Sequence, residues 1–187
     1  MVTATLITAA ELERMPDGEH FELVNGVLRE MAPPGGEHGY LQIELGAELR
    51  QFVKQHGLGR VYGEVGFVIM QNPDTVLAPD VAFVRAGRVL PKVRQSTLLR
   101  QIPDLAVEIV SPSDRVRQVI DKVNTYLHAG VPMIWTVEPK RRRVLVWDEH
   151  DLIQVFGPGQ TLDGGDLLPG FQLQIDDLFD DGELVVE

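Results

Sequence analysis

The chain has 187 residues, the usual size of one domain, and 44% of them are hydrophobic, which is enough for a core. The absence of cysteine excludes disulfides, thiolate chemistry and cysteine-ligated zinc, and no apolar run in the sequence is long enough to span a bilayer. We therefore expect a single cytoplasmic domain that has no contact with a membrane.

The net charge of −11 is unevenly distributed along the chain: residues 1–84 carry −7, residues 85–143 carry +7 and residues 144–187 carry −11. An acidic protein is an unusual partner for nucleic acid, but a local positive field can still attract phosphates. The basic island is a stretch without an acid, and it contains Arg85, Arg88, Lys92, Arg94 and Arg100. It is either a phosphate-binding segment or a solvated loop with a chance charge bias.

The N-terminal part predicts a short helix, a hairpin and a long helix. Thr8 and Glu11 form a capping box that begins the first helix. Residues 20–24 and 27–31 are two strand-like runs around the tight turn Asn25-Gly26. A long amphipathic helix follows and ends at Gly57, and its apolar stripe consists of Leu41, Leu45, Leu49, Phe52 and Val53.

The rest of the chain alternates strands with one further helix. Apolar runs of strand length occupy residues 60–65, 67–70, 81–84, 105–110, 133–137, 143–147 and 152–156. The segment 85–103 is a long connection, and such connections are often functional. A helix begins after Ser111-Pro112-Ser113, runs to Ala129, and has an apolar stripe formed by Val116, Val119, Ile120, Val123 and Leu127. The pattern predicts a mixed α/β domain with a central sheet.

Two carboxylates lie where buried strands are predicted. Asp80 stands just before the strand 81–84, and Glu108 lies inside the apolar strand 105–110. A buried carboxylate is costly unless it is paired or binds a metal, and if the two strands pair, both carboxylates converge on one hard cation. The alternative is a turn aspartate and a glutamate satisfied by an arginine. For Glu108 we prefer the metal site, whereas Asp80 alone would favour the alternative.

Three further polar residues are candidates for the same site. Lys122 lies on the flank of the apolar stripe in the helix after the strand 105–110, in line with Arg115, and its stem can reach along the sheet. On the helical pattern alone, a snorkelling lysine is the favoured interpretation. In either case we expect a lysine on the flank of the stripe to add little to stability. Glu22 is a lone carboxylate in the first strand, and His38 stands at the start of the long helix. Neither residue would indicate a site alone.

An ordered series of short motifs runs through almost the whole chain. It consists of residues 21–26, Pro33-Pro34 before His38, Pro79-Asp80, residues 107–113, Asp121-Lys122, Tyr126, and residues 129–131, 135–139 and 168–171. Together these motifs resemble the Uma-type restriction endonuclease family, a branch of the PD-(D/E)XK nuclease superfamily. The resemblance covers about residues 8–179, which implies one domain over residues 1–187 with this core and a short acidic C-terminal end.

The resemblance also implies a fold and an activity. The fold would be restriction endonuclease-like, with a mixed central β-sheet flanked by helices and extended by additional antiparallel strands. The activity would be a Mg²⁺-dependent endonuclease, with Mn²⁺ as a substitute, that hydrolyses phosphodiester bonds in DNA as a homodimer. Asp80 and Glu108 would hold the metal, and Glu22 and His38 match further polar positions of the family's catalytic site. Val110 stands where the superfamily has lysine, so the catalytic lysine resembles one supplied from the next helix, Lys122.

The predicted DNA contacts are the basic island and Arg115 at the start of the next helix. The departure at Val110 and the overall acidity leave a second hypothesis open, a catalytically inactive nucleic-acid-binding or interaction module on the same fold. A third hypothesis is a small-molecule or metal-binding protein without a nucleic-acid partner. DNA cleavage supports the first hypothesis, binding without cleavage the second, and neither outcome the third.

Overall fold

The computed structural model describes residues 6–91, 98–148 and 153–180. The predicted N-terminal elements are confirmed as helix α1 (Ala9–Leu12), the hairpin of β1 (Phe21–Val24) and β2 (Val27–Glu30), and helix α2 (Gly36–Gln55). The capping box is formed, and the backbone N–H of Glu11 donates to Thr8 Oγ1 at 3.2 Å. Asn25 and Gly26 have φ angles of 50° and 76°, as the two-residue hairpin turn requires.

The remaining elements are mostly strands. They are β3 (Gly59–Gly63), β4 (Gly66–Met70), β5 (Thr75–Leu77), β6 (Val81–Arg85), β7 (Leu98–Leu99), β8 (Leu105–Ile109), α3 (Val116–His128), β9 (Met133–Glu138), β10 (Arg143–Asp148), β11 (Ile153–Phe156), β12 (Thr161–Gly164), β13 (Leu168–Gln174) and α4 (Ile175–Leu178). Every strand predicted from an apolar run is confirmed, with bounds that differ by one or two residues. None of the helices in the described ranges is long and apolar enough to cross a membrane.

Three sheets organise the strands of the described residues. The six-stranded sheet has the order β11-β10-β9-β8-β6-β3, and β8 pairs with β9 in parallel, whereas its other pairs are antiparallel. The five-stranded sheet has the order β2-β1-β5-β4-β7, and β12 and β13 form a separate hairpin. A mixed sheet with helices on it and additional antiparallel strands is the predicted fold class.

Alternation along β6 and β8 divides the core into two faces. The first face packs against the predicted stripe of α2, and this cluster includes Val81, Phe83, Leu105, Val107, Leu41, Leu45, Leu49 and Val53. The second face meets α3 and the five-stranded sheet, and that cluster includes Ala82, Ala106, Val123, Tyr126, Phe67 and Leu77. Glu108 shares the second face with Ala106, because residues two apart in a strand point to the same side. The candidate carboxylate therefore lies where both sheets and α3 meet.

Helix α3 differs from its prediction in its first turns. It begins at Val116, later than expected, because Asp114 Oδ2 accepts a hydrogen bond from the Ser111 N–H at 2.7 Å and closes a separate turn. Val123 in the middle of the helix is buried, but Val116 and Ile120 are 71% and 41% exposed. The predicted apolar stripe is therefore wrong in its first half, since only the later turns are covered.

Four strands and one short helix lie outside the sequence prediction. Strands β5 and β7 have three and two residues, too few for a periodic signal. Strand β13 contains Pro169 and Gly170, which are typical of turns, and its regular alternation of buried and exposed residues begins only at Phe171. Because Pro169 and Gly170 are residues typical of turns, the sequence did not predict the hairpin of β12 and β13. Helix α4, which was also not predicted, follows this hairpin directly.

Phe171 attaches the hairpin of β12 and β13 to the core. Its ring centroid lies 5.3 Å from that of Phe52 and 5.9 Å from that of Trp135, and the residue is 2% exposed. Phe171→Ala removes these contacts and leaves a cavity, so we expect the free energy of unfolding in urea to fall by about 3–5 kcal/mol. Ile43→Ala is the control, because Ile43 is 70% exposed on α2 and should change stability by less than about 0.5 kcal/mol. Equal losses in the two variants would contradict this role.

Candidate functional site

The ladder between β6 and β8 brings Asp80 and Glu108 together. Val81 stands opposite Val107 in the ladder, so the next step sets Asp80 opposite Glu108 on the same face. The backbone N–H of Ile109 donates to Asp80 Oδ2 at 2.6 Å. The two strands therefore pair as the sequence predicts, and their carboxylates meet at one end of the six-stranded sheet.

Both oxygens of Glu108 are held by side chains of α3. Lys122 Nζ donates to Oε2 at 2.8 Å, and the Tyr126 hydroxyl donates to Oε1 at 2.7 Å. Lys122 and Tyr126 are four residues apart, so they share one face of the helix. Only 13% of the Glu108 side chain is exposed. Helix α3 therefore fixes the orientation of this carboxylate from one side.

Lys122 also connects the two large sheets. Its ammonium lies 2.9 Å from Oε1 of Glu22 in β1 and 2.8 Å from Oε2 of Glu108 in β8. Glu22 Oε1 further accepts a hydrogen bond from the backbone N–H of Ala78 at 3.0 Å. Because this lysine bridges two buried carboxylates, the expectation that it adds little to stability no longer holds.

Helix α2 holds Asp80 from the opposite side. His38 Nε2 lies 3.0 Å from Asp80 Oδ1, and Gln42 Nε2 donates to the Asp80 backbone carbonyl at 3.1 Å. His38 and Gln42 are again four residues apart and therefore on one helix face. The hydrogen bond with Asp80 raises the pKa of His38, although partial burial opposes this. A protonated His38 is thus favoured beside the Asp80 carboxylate.

Burial and neighbouring charges shift the pKa values around Glu108. Burial raises the pKa of Glu108 to about 8, Lys122 opposes this rise, and the carboxylates of Asp80 and Glu22 add to it. Burial alone would lower the pKa of Lys122, but Glu108 and Glu22 outweigh it and raise that pKa. Burial and the same carboxylates also raise the pKa of Tyr126. Lys122 therefore remains an ammonium and Tyr126 a neutral donor at neutral pH.

The donor set of this site suits a hard divalent cation. Asp80, Glu108 and Glu22 supply carboxylates, with the Lys122 ammonium between Glu108 and Glu22 and His38 beside Asp80. A divalent cation would displace the proton that the raised pKa keeps on Glu108 in metal-free protein, and oxygen ligands are those that Mg²⁺ prefers. His38 Nδ1 is buried and has no hydrogen-bond partner in the described residues. Asp80 and Glu108 are therefore the residues that fit a metal, with Glu22 and His38 beside them.

A separate acidic group precedes β1. Ligand atoms of Asp17, Glu19 and His20 lie within 4.8 Å of one another, and all three residues are exposed. The carboxylates of the main site are less closely grouped, because the ammonium of Lys122 stands between Glu22 and Glu108. Exposed groups such as the one before β1 are common in proteins without an ion, so we assign no function to it.

Three of the predicted DNA contacts form ion pairs. Arg88 Nη1 and Arg85 Nε lie 2.7 Å and 3.4 Å from Oδ1 of the buried Asp104, and Arg100 Nη2 lies 2.9 Å from Glu13 Oε2. These pairs anchor the long connection to the domain. Roughly half of each arginine side chain is still exposed, at 55%, 44% and 47% for Arg85, Arg88 and Arg100. Contact between these side chains and phosphate stays a prediction.

The structure describes only one of the other three predicted DNA contacts. Arg115 is exposed immediately before α3. Lys92 and Arg94 lie outside the described residues. The five residues predicted for the catalytic site, in contrast, come together in one place, and they are Asp80, Glu108, Lys122, Glu22 and His38.

Sequence reasoning did not assign Tyr126 and Gln42 to the site. Both residues follow a predicted site residue by four positions on the same helix, at the spacing that brings side chains together. Tyr126 follows Lys122, and Gln42 follows His38. That spacing was the available signal, but a tyrosine in a buried helix is more often a core residue.

Comparison with known proteins identifies a family and solved structures with a similar fold. The model of the family Uma2, described as "Putative restriction endonuclease", matches residues 9–176. Among solved structures, a protein from Anabaena variabilis, described as a "putative nuclease belonging to DUF820", is similar over 92% of this chain and 97% of its own, with a TM-score of 0.80 and 24% identity. No curated protein matches the chain. The structural similarity confirms the predicted restriction endonuclease-like fold.

The raised pKa of Glu108 predicts a pH dependence of stability in metal-free protein. The pKa of Glu108 rises from its ordinary value of about 4.5 to about 8 in the folded protein. Between these two pH values Glu108 is protonated in the folded protein and ionised in the unfolded chain. The free energy of unfolding therefore falls as pH rises through this window. Glu108→Gln removes the titration. Urea denaturation in EDTA should therefore show wild type losing stability relative to Glu108→Gln between pH 5 and 8.5. Glu48→Gln, on the exposed side of α2, should follow wild type, and parallel curves for all three proteins would contradict the assignment.

Proposed function

The chain belongs to the Uma2 family, whose model covers most of its length, and from this membership we propose that it is a Mg²⁺-dependent endonuclease that hydrolyses phosphodiester bonds in DNA. The observation that carries the proposal is the ammonium of Lys122 held between two carboxylates, 2.8 Å from Glu108 and 2.9 Å from Glu22. Metal-dependent hydrolysis of a phosphodiester uses a divalent cation, and a protein cation next to it can stabilise the transition state. The description of the Anabaena variabilis protein as a nuclease agrees with this proposal.

Asp80 and Glu108 are the proposed metal ligands. A divalent cation in such a site polarises a phosphate and acidifies water. The chain's contribution is to fix both carboxylates before the substrate arrives: the Ile109 N–H and His38 hold Asp80, and Lys122 and Tyr126 hold Glu108. Ligands that are held in this way lose little freedom when they bind.

Lys122 is the proposed catalytic lysine. It takes the place of the lysine that the superfamily has at the position of Val110, two residues after Glu108 on the same strand face. Its carboxylate neighbours raise its pKa, so it acts as a hydrogen-bond donor and not as a general base at neutral pH. Negative charge grows on the phosphoryl oxygens in the transition state, and an ammonium 2.8 Å from a metal-binding carboxylate stands close enough to stabilise it.

Calorimetric titration of the protein with Mn²⁺ tests the metal ligands. Asp80→Ala and Glu108→Ala each remove a carboxylate, so each should weaken Mn²⁺ binding by at least the roughly 10- to 100-fold typical of residues that only support a ligand. Glu48→Ala is the matched control, because Glu48 is an exposed carboxylate on α2 and should leave the affinity unchanged. Unchanged affinity in both Asp80→Ala and Glu108→Ala would refute the assignment.

Cleavage of plasmid DNA with Mg²⁺ tests Lys122. Lys122→Ala removes the transition-state donor and should lower the cleavage rate about 100-fold or more, whereas Arg117→Ala, 91% exposed on the same helix, should cleave at nearly the wild-type rate. Rates are compared where circular dichroism shows every variant folded, because Lys122 also bridges two buried carboxylates.

A second substitution separates the charge of Lys122 from its place in the fold. Adding Val110→Lys to Lys122→Ala returns an ammonium to the strand face of Glu108, so it should restore part of the rate. Cleavage by Lys122→Ala at the wild-type rate would show that the lysine has no part in catalysis, and Arg115 would then be the next candidate.

A further inference from the structure

A groove with a volume of about 400 Å³ lies at the end of α2 that is farthest from the candidate site. It is bounded by the last turns of α2, the start of β3 and the segment after β6. Three of its lining residues are basic, namely Arg50, Lys54 and Arg60, and none is acidic. The protein has a net charge of −11, so a groove whose only charged lining residues are basic is a local exception. Its positive potential favours an anionic ligand.

The three cations of this groove differ from Arg85, Arg88 and Arg100 in forming no ion pair with any residue that the structure describes. Arg85, Arg88 and Arg100 each lie within 3.4 Å of a carboxylate oxygen. For Arg50, Lys54 and Arg60, the described residues provide no salt bridge within 4.0 Å. Arg50 and Lys54 are exposed and Arg60 is half-buried. Their charge is therefore available to an anion from outside the protein.

The helix itself accounts for only part of this charge. Lys54 lies in the last turn of α2, where a cation stabilises the negative end of the helix dipole. Arg50 stands one turn earlier, and Arg60 belongs to the neighbouring strand β3, so the same explanation does not extend to them. Two independent elements thus direct unpaired cations into one groove.

Edge strand β3 connects the groove to the candidate site. It is the outer strand of the six-stranded sheet, beginning beside the groove at Gly59 and ending at Gly63, and the next residue, Glu64, donates its backbone N–H to the Asp80 carbonyl at 3.4 Å. No acidic residue occurs between Gly59 and Gly63. A polyanion that leaves the site along this edge passes the carboxylate of Glu64 at the site and then meets no negative charge within the strand.

The separation of groove and site fits the spacing of phosphates in a duplex. Arg60 lies three residues before Gly63, the end of β3 nearest the site, which is about 10 Å along the strand. On α2, Arg50 and Lys54 lie 12 and 16 residues after His38, which is about 18 Å and 24 Å along the helix axis. Since a strand of DNA places one phosphate about every 3.4 Å along the axis, the groove would receive phosphates about three to seven base pairs from the scissile bond.

We propose that this groove is a second DNA-binding site, in which Arg50, Lys54 and Arg60 hold the phosphate backbone of a duplex several base pairs from the bond cleaved at Asp80 and Glu108. The proposal rests on the proposed endonuclease function and adds the direction in which the duplex lies, along β3. Contacts of this kind are made to phosphate, so they increase affinity equally for every base sequence.

The test is the affinity of a duplex of about 30 base pairs, which covers groove and site at about 3.4 Å per base pair, measured by fluorescence anisotropy in EDTA over a range of salt concentrations. Arg50→Gln/Lys54→Gln should weaken binding about tenfold or more at about 0.1 M salt and lower the slope of log K against log salt by about 1.8, since each lost phosphate contact removes about 0.9. Arg14→Gln/Arg117→Gln makes the same change in net charge at two other exposed positions and should bind like wild type.

A small phosphodiester separates this proposal from the proposed function. Bis(4-nitrophenyl) phosphate reaches the site without filling the groove, so the Arg50→Gln/Lys54→Gln variant should hydrolyse it with Mg²⁺ at the wild-type rate while its kcat/KM on the long duplex falls. If wild type binds and cleaves the duplex but the groove variant has the same affinity and salt slope, the groove proposal is overturned and the endonuclease stands. If wild type neither binds nor cleaves the duplex, the proposed function and the groove fail together.

Discussion

The bridging ammonium of Lys122 is the contact on which the rest of the site depends. Glu108 and Glu22 come from different sheets, their side chains are only 13% and 11% exposed, and each carboxylate would be costly without a compensating charge. One lysine from α3 supplies that charge to both. The same contact fixes the helix over the place where the two sheets meet, so fold and site share a single electrostatic link.

Around this link the two long helices act in the same way on the two strand carboxylates. Helix α3 holds Glu108 with a pair of side chains four residues apart, Lys122 and Tyr126, and α2 holds Asp80 with the pair His38 and Gln42. The carboxylates are opposite one another because β6 and β8 are neighbours in register. The helices thus orient the side chains of Asp80 and Glu108, and the sheet sets the spacing between them. A rigid scaffold of this kind can hold two carboxylates close together before a cation binds.

The sequence predicted the parts of this arrangement that depend on local pattern. A carboxylate inside an apolar strand pointed to Glu108, and the alternation of that strand predicted which face it occupies. Two kinds of feature were out of reach. The partnership of Lys122 with Glu22 depends on how the two sheets pack, and the strand β5 that positions β1 has only three residues. The exposure of Val116 shows a further limit of prediction from sequence. An apolar stripe indicates a helix, but it does not show how many of its turns other elements cover.

The structural role of Lys122, beside the catalytic role that we propose for it, has a consequence for related proteins. Where a catalytic residue has no structural role, it can be substituted while the fold is kept, so inactive relatives arise without other changes. Here the loss of Lys122 would also unbalance two buried carboxylates at the junction of the sheets. A relative that lacks this lysine is therefore expected to carry an uncharged pair in place of Glu22 and Glu108. This compensating change should be visible in the sequences of inactive relatives.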